Sequence, residues 1–580
     1  MNPKLLILAM PAFLVACAQQ PLKATSVAAT ANEEEQEEQP AITAKSQNLP
    51  KQELTKNMLY EFLLGEIAGQ RGQLDVATKA YVEMANTTRD PRIAQRATEI
   101  ALYSKQPEAA LQAAKVWAEA DPDSTQARQT LVALLINSRK LGEARPHFEK
   151  LLSGEGQNIG QGFMQLNGLL SKYPDKPAAL NLVQELAQPY PRVAEAHFAV
   201  SQAAWNAAQY DVALSEVRKT LELRPEWELA ALFQGQVLQH TSNKLALEYL
   251  HGYLKSYPKA KDVRLSYARL LVAEKDYPKA RSEFQKLRTD FPNNAEVSLA
   301  VGLLSMQLND FDAAEASFKQ ALSQNYKDRD SVRYYLGQVY EERKRYDEAL
   351  RWYGGVGEGE QYFAAQIRYA SVLAKQGKLA EARKHLSQLA PKDNQQRIQI
   401  ILTEAQLLRE AGRYQEAFDL LGRALQKNPD YPDLLYDYAM AAEKLNRLDV
   451  LEENLRKLIQ LKPDYAHAYN ALGYTLADRT DRLAEAVQFI QQALQLAPED
   501  PFIIDSMGWV QYRLGNLKEG ATYLRRAYAD RPDPEIAAHL GEVLWVQGKH
   551  EEAETIWKTS LKDNPGNEAL QNVIKKFVNK

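Results

Sequence analysis

One period runs through this chain and limits what it can fold into. Prolines fall at Pro191, Pro225, Pro258 and Pro292, and again at Pro429, Pro463, Pro498, Pro532 and Pro565, in steps of 33 to 35 residues. Alanines keep step at Ala179, Ala213, Ala246, Ala280, Ala314, Ala349, Ala382 and Ala417. Self-similarity at this spacing marks one supersecondary unit repeated along the chain. Each unit reads as two antiparallel helices. Glycine at the eighth position (Gly302, Gly337, Gly473, Gly508, Gly541) lets the helices approach closely, and the alanine near position 20 does the same from the second helix. An aromatic or Leu near position 24 is expected to fill the wedge between neighbouring units. Proline near position 32 stops the second helix, because it lacks the backbone N–H and disfavours helix in the residue before it. Short turns such as Asn309-Asp310, Gln376-Gly377-Lys378 and Gln547-Gly548-Lys549 separate the helices.

These residues resemble the tetratricopeptide repeat. In residues 466–498 the match is Tyr469, Leu472, Gly473, Ala486, Ala493 and Pro498, with one extra residue in the turn. Residues 534–565 supply Leu540, Gly541, Ala553, Trp557 and Pro565, and residues 295–328 supply Gly302, Ala314, Phe318 and Ala321. The resemblance implies an all-α fold, a right-handed α-solenoid of about 15 helix-turn-helix units with a C-terminal capping helix. Units start near residues 58, 91, 125, 160, 194, 227, 261, 295, 330, 363, 398, 432, 466, 501 and 534. Residues 53–190 are read as degenerate units: the unit at 91 keeps Ala110, Trp117 and Pro122 but has Thr98 where Gly or Ala is usual. Residues 191–567 form the regular array and 568–580 a cap with a polar outer face. The segments 153–163 (Gly154, Gly156, Gly160, Gly162) and 354–360 (GGVGEGE) are expected hinges or irregular joins. No unit can bury its apolar face alone, so stability comes from stacking.

The N-terminus reads as an address. Lys4 precedes an apolar stretch from Leu5 to Ala16, too short for the ~20 residues a membrane span needs. The stretch ends Leu14-Val15-Ala16-Cys17, and Cys17 is the single cysteine of the chain, which excludes internal disulfides and cysteine-built metal sites. This ending resembles the bacterial lipobox. It implies a signal peptide over 1–16, cleavage, and acylation (palmitate included) of Cys17. Several acyl chains hold firmly, since each buried CH₂ contributes about 0.8 kcal/mol. Ala18 follows the cysteine; in the lipoprotein pattern an Asp there favours the inner membrane, so its absence implies the outer membrane, facing the periplasm. Residues 17–52, with the acidic run Glu33-Glu34-Glu35-Gln36-Glu37-Glu38, have too few large apolar residues for a core and read as a disordered tether. A flexible chain of that length reaches on the order of 30–35 Å.

Common catalytic signatures do not occur in the sequence. The eight histidines are scattered, with no HExxH, and there is no GxSxG or Walker-type loop. A net charge of −4 and a pI near 6.2 give no basic stripe for nucleic acid. The reading is a protein binder without enzyme activity, cofactor, metal or small-molecule substrate. The family register places positions 2, 5, 9, 12 and 13 of each first helix in a groove, which yields the candidates Tyr436, Lys444, His467, Asn470, Tyr474, Phe502, Asp505, Trp509, Tyr512 and Arg513. Aromatic faces beside such polar groups suit an extended peptide. For Tyr474 and Trp509, beside Gly473 and Gly508, packing between units stays an open alternative. No groove-facing Lys–Asn pair of the kind that clamps chaperone C-termini is present among these positions.

Lipobox, acidic tether, repeat array and terminal helix together resemble the large outer-membrane lipoproteins that act as adaptors for periplasmic carboxyl-terminal processing proteases and their substrates, often cell-wall hydrolases. The alternatives are an assembly factor for a pilus, secretin or polysaccharide exporter, and a non-proteolytic regulator of cell-wall enzymes.

Overall fold

The computed structural model describes residues 49–153 and 159–578. The lipobox, Cys17, most of the tether, Gly154 and Gly156 lie outside these residues. Every regular element among the described residues is a helix, 31 in all. They form 15 successive antiparallel pairs, from Lys56–Gln70 with Leu74–Thr88 to Pro534–Val546 with His550–Asp563, followed by Glu568–Phe577. The fold is the expected α-solenoid of helix pairs. It divides into two compact units, Met1–Gln324 and Asn325–Lys580. The first holds eight of the pairs and the second holds seven and the final helix.

Local chemistry explains where each helix stops. Within most pairs the turn residue is left-handed, as at Lys275 (φ 62°), Asn309 (φ 57°), Gly377 (φ 79°) and Gly548 (φ 80°). The next amide then reaches five residues back, as from Asp310 to the Ser305 carbonyl (2.8 Å) and from Lys549 to Leu544 (3.0 Å). This motif satisfies carbonyls that the helix end would otherwise orphan. The unit at 466 departs from it: its first helix runs on to Arg479 and Thr480 is extended, which is where the extra residue goes. Between pairs, the residue before proline leaves the helix, as at Arg224 (φ −142°, ψ 79°), Phe291 (−131°, 70°), Lys462 (−135°, 84°) and Ala497 (−140°, 75°). Proline's ring clashes with helical backbone at that position.

Packing within a pair rests on a notch and a plug. A methyl placed on Gly302 would lie 2.5 Å from the Phe318 ring, and one on Gly508 would lie 2.6 Å from Leu524 and 3.0 Å from the Gly520 carbonyl. Gly337 faces Tyr353, Gly541 faces Trp557, and Gly473 faces Ile490 in the same way. The large residue near position 24 therefore fills the notch of its own unit, not chiefly the wedge between units as its position suggested. Phe318, Tyr353 and Trp557 are fully buried as a result. Thr98 occupies the notch position of an early pair without disrupting it, because its hydroxyl donates to the Ala94 carbonyl (2.8 Å) within its own helix.

A second device recurs at the joints. Arg264 donates to Glu283 (2.5 Å) and to the Pro258 carbonyl (2.5 Å), and Lys286 backs the same carboxylate at 2.7 Å. Two units earlier His197 meets Glu216 (2.6 Å) and the Pro191 carbonyl (3.1 Å), and Lys219 backs Glu216 at 2.7 Å. Each clamp ties a first helix to its own second helix and to the preceding proline turn.

Of the segment 153–163 only part lies among the described residues, and 354–360 forms the expected irregular join. Gly160 and Gly162 lie inside the helix Ile159–Leu170, where added methyls would meet Glu195 and Leu152. The segment 354–360 follows a second helix shortened to nine residues, Tyr346–Gly354. There the Gly357 amide donates to the Asp330 carboxylate, which with Arg333 holds that acid below the usual carboxylate range against the opposing effect of burial. The final helix, Glu568–Phe577, buries Leu570 and Val573 and leaves Lys575 near its polar end.

The notch makes a checkable claim. Gly302→Ala should destabilise the N-terminal unit by about 1–3 kcal/mol, because the overlap outweighs the ~1 kcal/mol helix-propensity gain of Ala. Phe318→Leu in that background should recover part of the loss in urea denaturation. A denaturation midpoint unchanged by Gly302→Ala would mean the helices can separate freely.

Candidate functional site

Three first helices in the C-terminal unit, Ala466–Arg479, Pro501–Arg513 and Pro534–Val546, bring several of the candidate residues together. The notch glycines set their direction. Gly473 and Gly508 face their own second helices, so the following residues, Tyr474 and Trp509, turn toward the stack of first helices. At the centre is His539. Its Nδ1 lies 2.9 and 3.1 Å from the two Asp505 carboxylate oxygens, and its Nε2 lies 3.2 Å from the Tyr474 hydroxyl. Its ring stacks on Trp509 at 4.3 Å. Asp505 and Trp509 are buried, and Tyr474 and His539 half-buried.

Burial alone would lower the pKa of His539. The Asp505 carboxylate, with Glu535 and Asp478 beyond it, more than reverses this and holds it above the ordinary histidine value. The Tyr474 phenol is pushed far up, first by burial and then by the carboxylates of Asp478, Asp505, Glu535 and Glu443. Asp505, His539 and Tyr474 thus form one hydrogen-bonded chain across three units. Two polar atoms in the cluster, Asn470 Oδ1 and Trp509 Nε1, are buried without a partner. Such atoms are uncommon in folded proteins and each calls for an explanation.

The other candidates take different places. Arg513 donates to the carbonyls of Ala477 and Asp478 and so closes the end of the preceding first helix. Tyr512 donates to Glu542 (3.1 Å), which also receives Lys576 of the final helix at 2.8 Å; burial and Glu542 push its phenol up to about 12. The Arg531 guanidinium lies over the ring of Phe502 at 4.8 Å. Tyr436 pairs with Tyr465 at 5.7 Å, one unit earlier than the cluster, and burial followed by Tyr465 and Asp437 raises it to about 12. Beside it Asp437 is held above its usual value by burial, against the pull of Arg409 at 3.4 Å. His467 and Lys444 are exposed. Sequence reasoning missed His539, Asp437 and Glu542. The signal for His539 was present: it lies 34 residues after Asp505, one period on, but a unit start at 534 shifts the register by one.

The tetratricopeptide repeat model matches residues 299–355, 452–501 and 506–568, and a second model of that description matches 238–304 and 408–449. A TPR repeat-containing protein of Pseudomonas aeruginosa is 33% identical over 506 residues, covering 87% of this chain and 85% of that protein. The chain belongs to the tetratricopeptide-repeat (TPR) family. A human protein O-mannosyl-transferase is 24% identical over 212 residues, 36% of this chain but 24% of that protein. A solved thermophilic TPR protein of Thermus thermophilus shares 26% identity and matches 31% of this chain and 99% of its own, with a TM-score of 0.29. TPR repeats point to a protein-binding scaffold.

The ion pair at His539 generates a pH prediction. A histidine whose pKa is raised on folding contributes stability that is complete below its unfolded value of about 6.5 and is lost as pH rises through the folded value. Melting of the C-terminal unit, followed from pH 5.5 to 8, should therefore fall more steeply in the wild type than in His539→Gln. Parallel curves for the two proteins would show that the pair contributes no pH-dependent stability.

Proposed function

We propose that this TPR protein is a membrane-anchored adaptor that holds a periplasmic carboxyl-terminal processing protease together with its substrates, such as cell-wall hydrolases. The observation that carries the reading is the wall formed by the helices Ala466–Arg479, Pro501–Arg513 and Pro534–Val546, where aromatic and polar groups from three units converge and two buried polar atoms await partners. Cys17, acylated and placed at the outer membrane facing the periplasm, supplies the address. Holding two partners on one scaffold raises their effective concentration to about millimolar without any catalytic group. Among the described residues no helix is long and apolar enough to cross a membrane, so in this reading the lipid is the attachment.

The partner is tested by affinity capture from detergent-solubilised membranes. A serine protease of the carboxyl-terminal processing class should be retained through a high-salt wash. Recovery of secretin, pilus or polysaccharide-export components in its place would overturn the adaptor reading. The anchor is tested separately. Cys17→Ser should move the folded protein from the membrane to the soluble fraction with its partner affinity unchanged, and a variant that stays in the membrane would rule out the lipid attachment.

A further inference from the structure

We propose that the surface over Asn470, Tyr474 and Asp505 receives a basic side chain, Lys or Arg, from an extended segment of the protein partner. This deepens the scaffold reading and rests on it, but it does not depend on the partner being a protease.

The cluster has a surplus of acceptors. Asn470 Oδ1 has no donor. The two Asp505 oxygens share a single N–H, that of His539 Nδ1, at 2.9 and 3.1 Å. Exposed Glu535 stands at the start of the third helix. Half-buried Asp478 and Glu443 add charge, although Arg479 (2.9 Å) and Lys444 (3.6 Å) sit on them. The one other cation at hand, Arg513, is committed to main-chain carbonyls. The elevated Tyr474 phenol reports the same negative field, since four carboxylates act on it after burial. An ammonium or guanidinium has donors and no acceptor, and so matches this set.

The aromatic groups specify the rest of the ligand. Half-buried Tyr474 offers an aromatic ring, whose face attracts cations. Trp509 is 7% exposed and its indole N–H is without a partner, so it needs an acceptor. A main-chain carbonyl of an extended segment supplies one. A carboxylate ligand would satisfy the indole but would face Asp505 and Glu535. Charge therefore selects a basic segment over an acidic one.

The test uses the full chain carrying Cys17→Ser and two fluorescein-labelled nonapeptides, one alternating Ala with Lys and one alternating Ala with Glu, read by fluorescence anisotropy. The Lys peptide should bind and the Glu peptide should not. Glu535→Gln combined with Asp505→Asn should weaken Lys-peptide binding by about tenfold or more. Glu535→Gln alone, at an exposed position where folding is not at stake, should weaken it measurably. Trp509→Phe, which keeps a ring and removes the N–H, should also weaken it. The control Glu551→Gln/Glu552→Gln removes as much charge from an exposed second helix and should change affinity by less than about twofold. Equal binding of both peptides, no binding of the Lys peptide at low ionic strength, or equal loss in the control would each overturn the proposal. Failure of the adaptor reading would appear instead in the affinity capture, with these peptide results standing.

Discussion

The contact between a notch glycine and the large side chain that fills it is the constraint on which the rest of the fold depends. Gly302 with Phe318, Gly337 with Tyr353, Gly508 with Leu524 and Gly541 with Trp557 repeat the same arrangement. In these pairs the two helices come close enough to exclude a single methyl, so each such pair becomes one rigid slab. A slab of fixed thickness can be stacked with a regular step. The left-handed turn and the pre-proline break then only have to return the chain, and both do so with backbone hydrogen bonds satisfied. Joint clamps such as Arg264–Glu283 and His197–Glu216 fasten a finished pair to the turn before it.

This division of labour frees the first helices for recognition. Second helices spend their apolar faces on filling notches and on stacking, as the buried Phe318, Leu524 and Trp557 show. A first helix uses its glycine face in the same way, and the next residue around the helix is then turned toward the neighbouring first helices. Tyr474 and Trp509 are placed by that geometry. Packing and binding are not exclusive roles for them. Trp509 stacks on His539 and still carries an indole N–H with nothing to bond.

The period, the pairing and the helix ends were legible because each rests on a residue type with one dominant backbone effect. Proline before a joint, glycine in a notch and a polar cap at a helix start act locally, so their spacing can be read directly. The proposal that Cys17 is acylated, and the compartment it implies, rest on the lipobox resemblance, because that segment lies outside the described residues. What was not legible depends on register across units. His539 was seen as an isolated histidine, since its meaning comes only from Asp505 one period earlier and Tyr474 two units back. The equivalence of His197 and Arg264 was hidden for a related reason: different side chains do the same work at matching positions. Thr98 looked like degeneration, yet its hydroxyl is satisfied within its own helix, so an unusual residue did not mean an irregular unit. The glycine runs were read as hinges or irregular joins: 354–360 is such a join, whereas Gly160 lies inside a helix beside the end of the Glu195 side chain.

The bond between Tyr474 and His539 spans 65 residues and reaches across two joints, not one. In a linear array each unit ordinarily senses only its immediate neighbours, and the ends can fray one unit at a time. Here the unit at 466 is coupled directly to the unit at 534, with Asp505 and Trp509 of the unit between them holding the same histidine. Opening any one of the three gives up contacts belonging to the other two. This stretch therefore behaves as a single cooperative block within an otherwise nearest-neighbour chain. A segment bound on that wall would be held by a surface that opens all together or not at all.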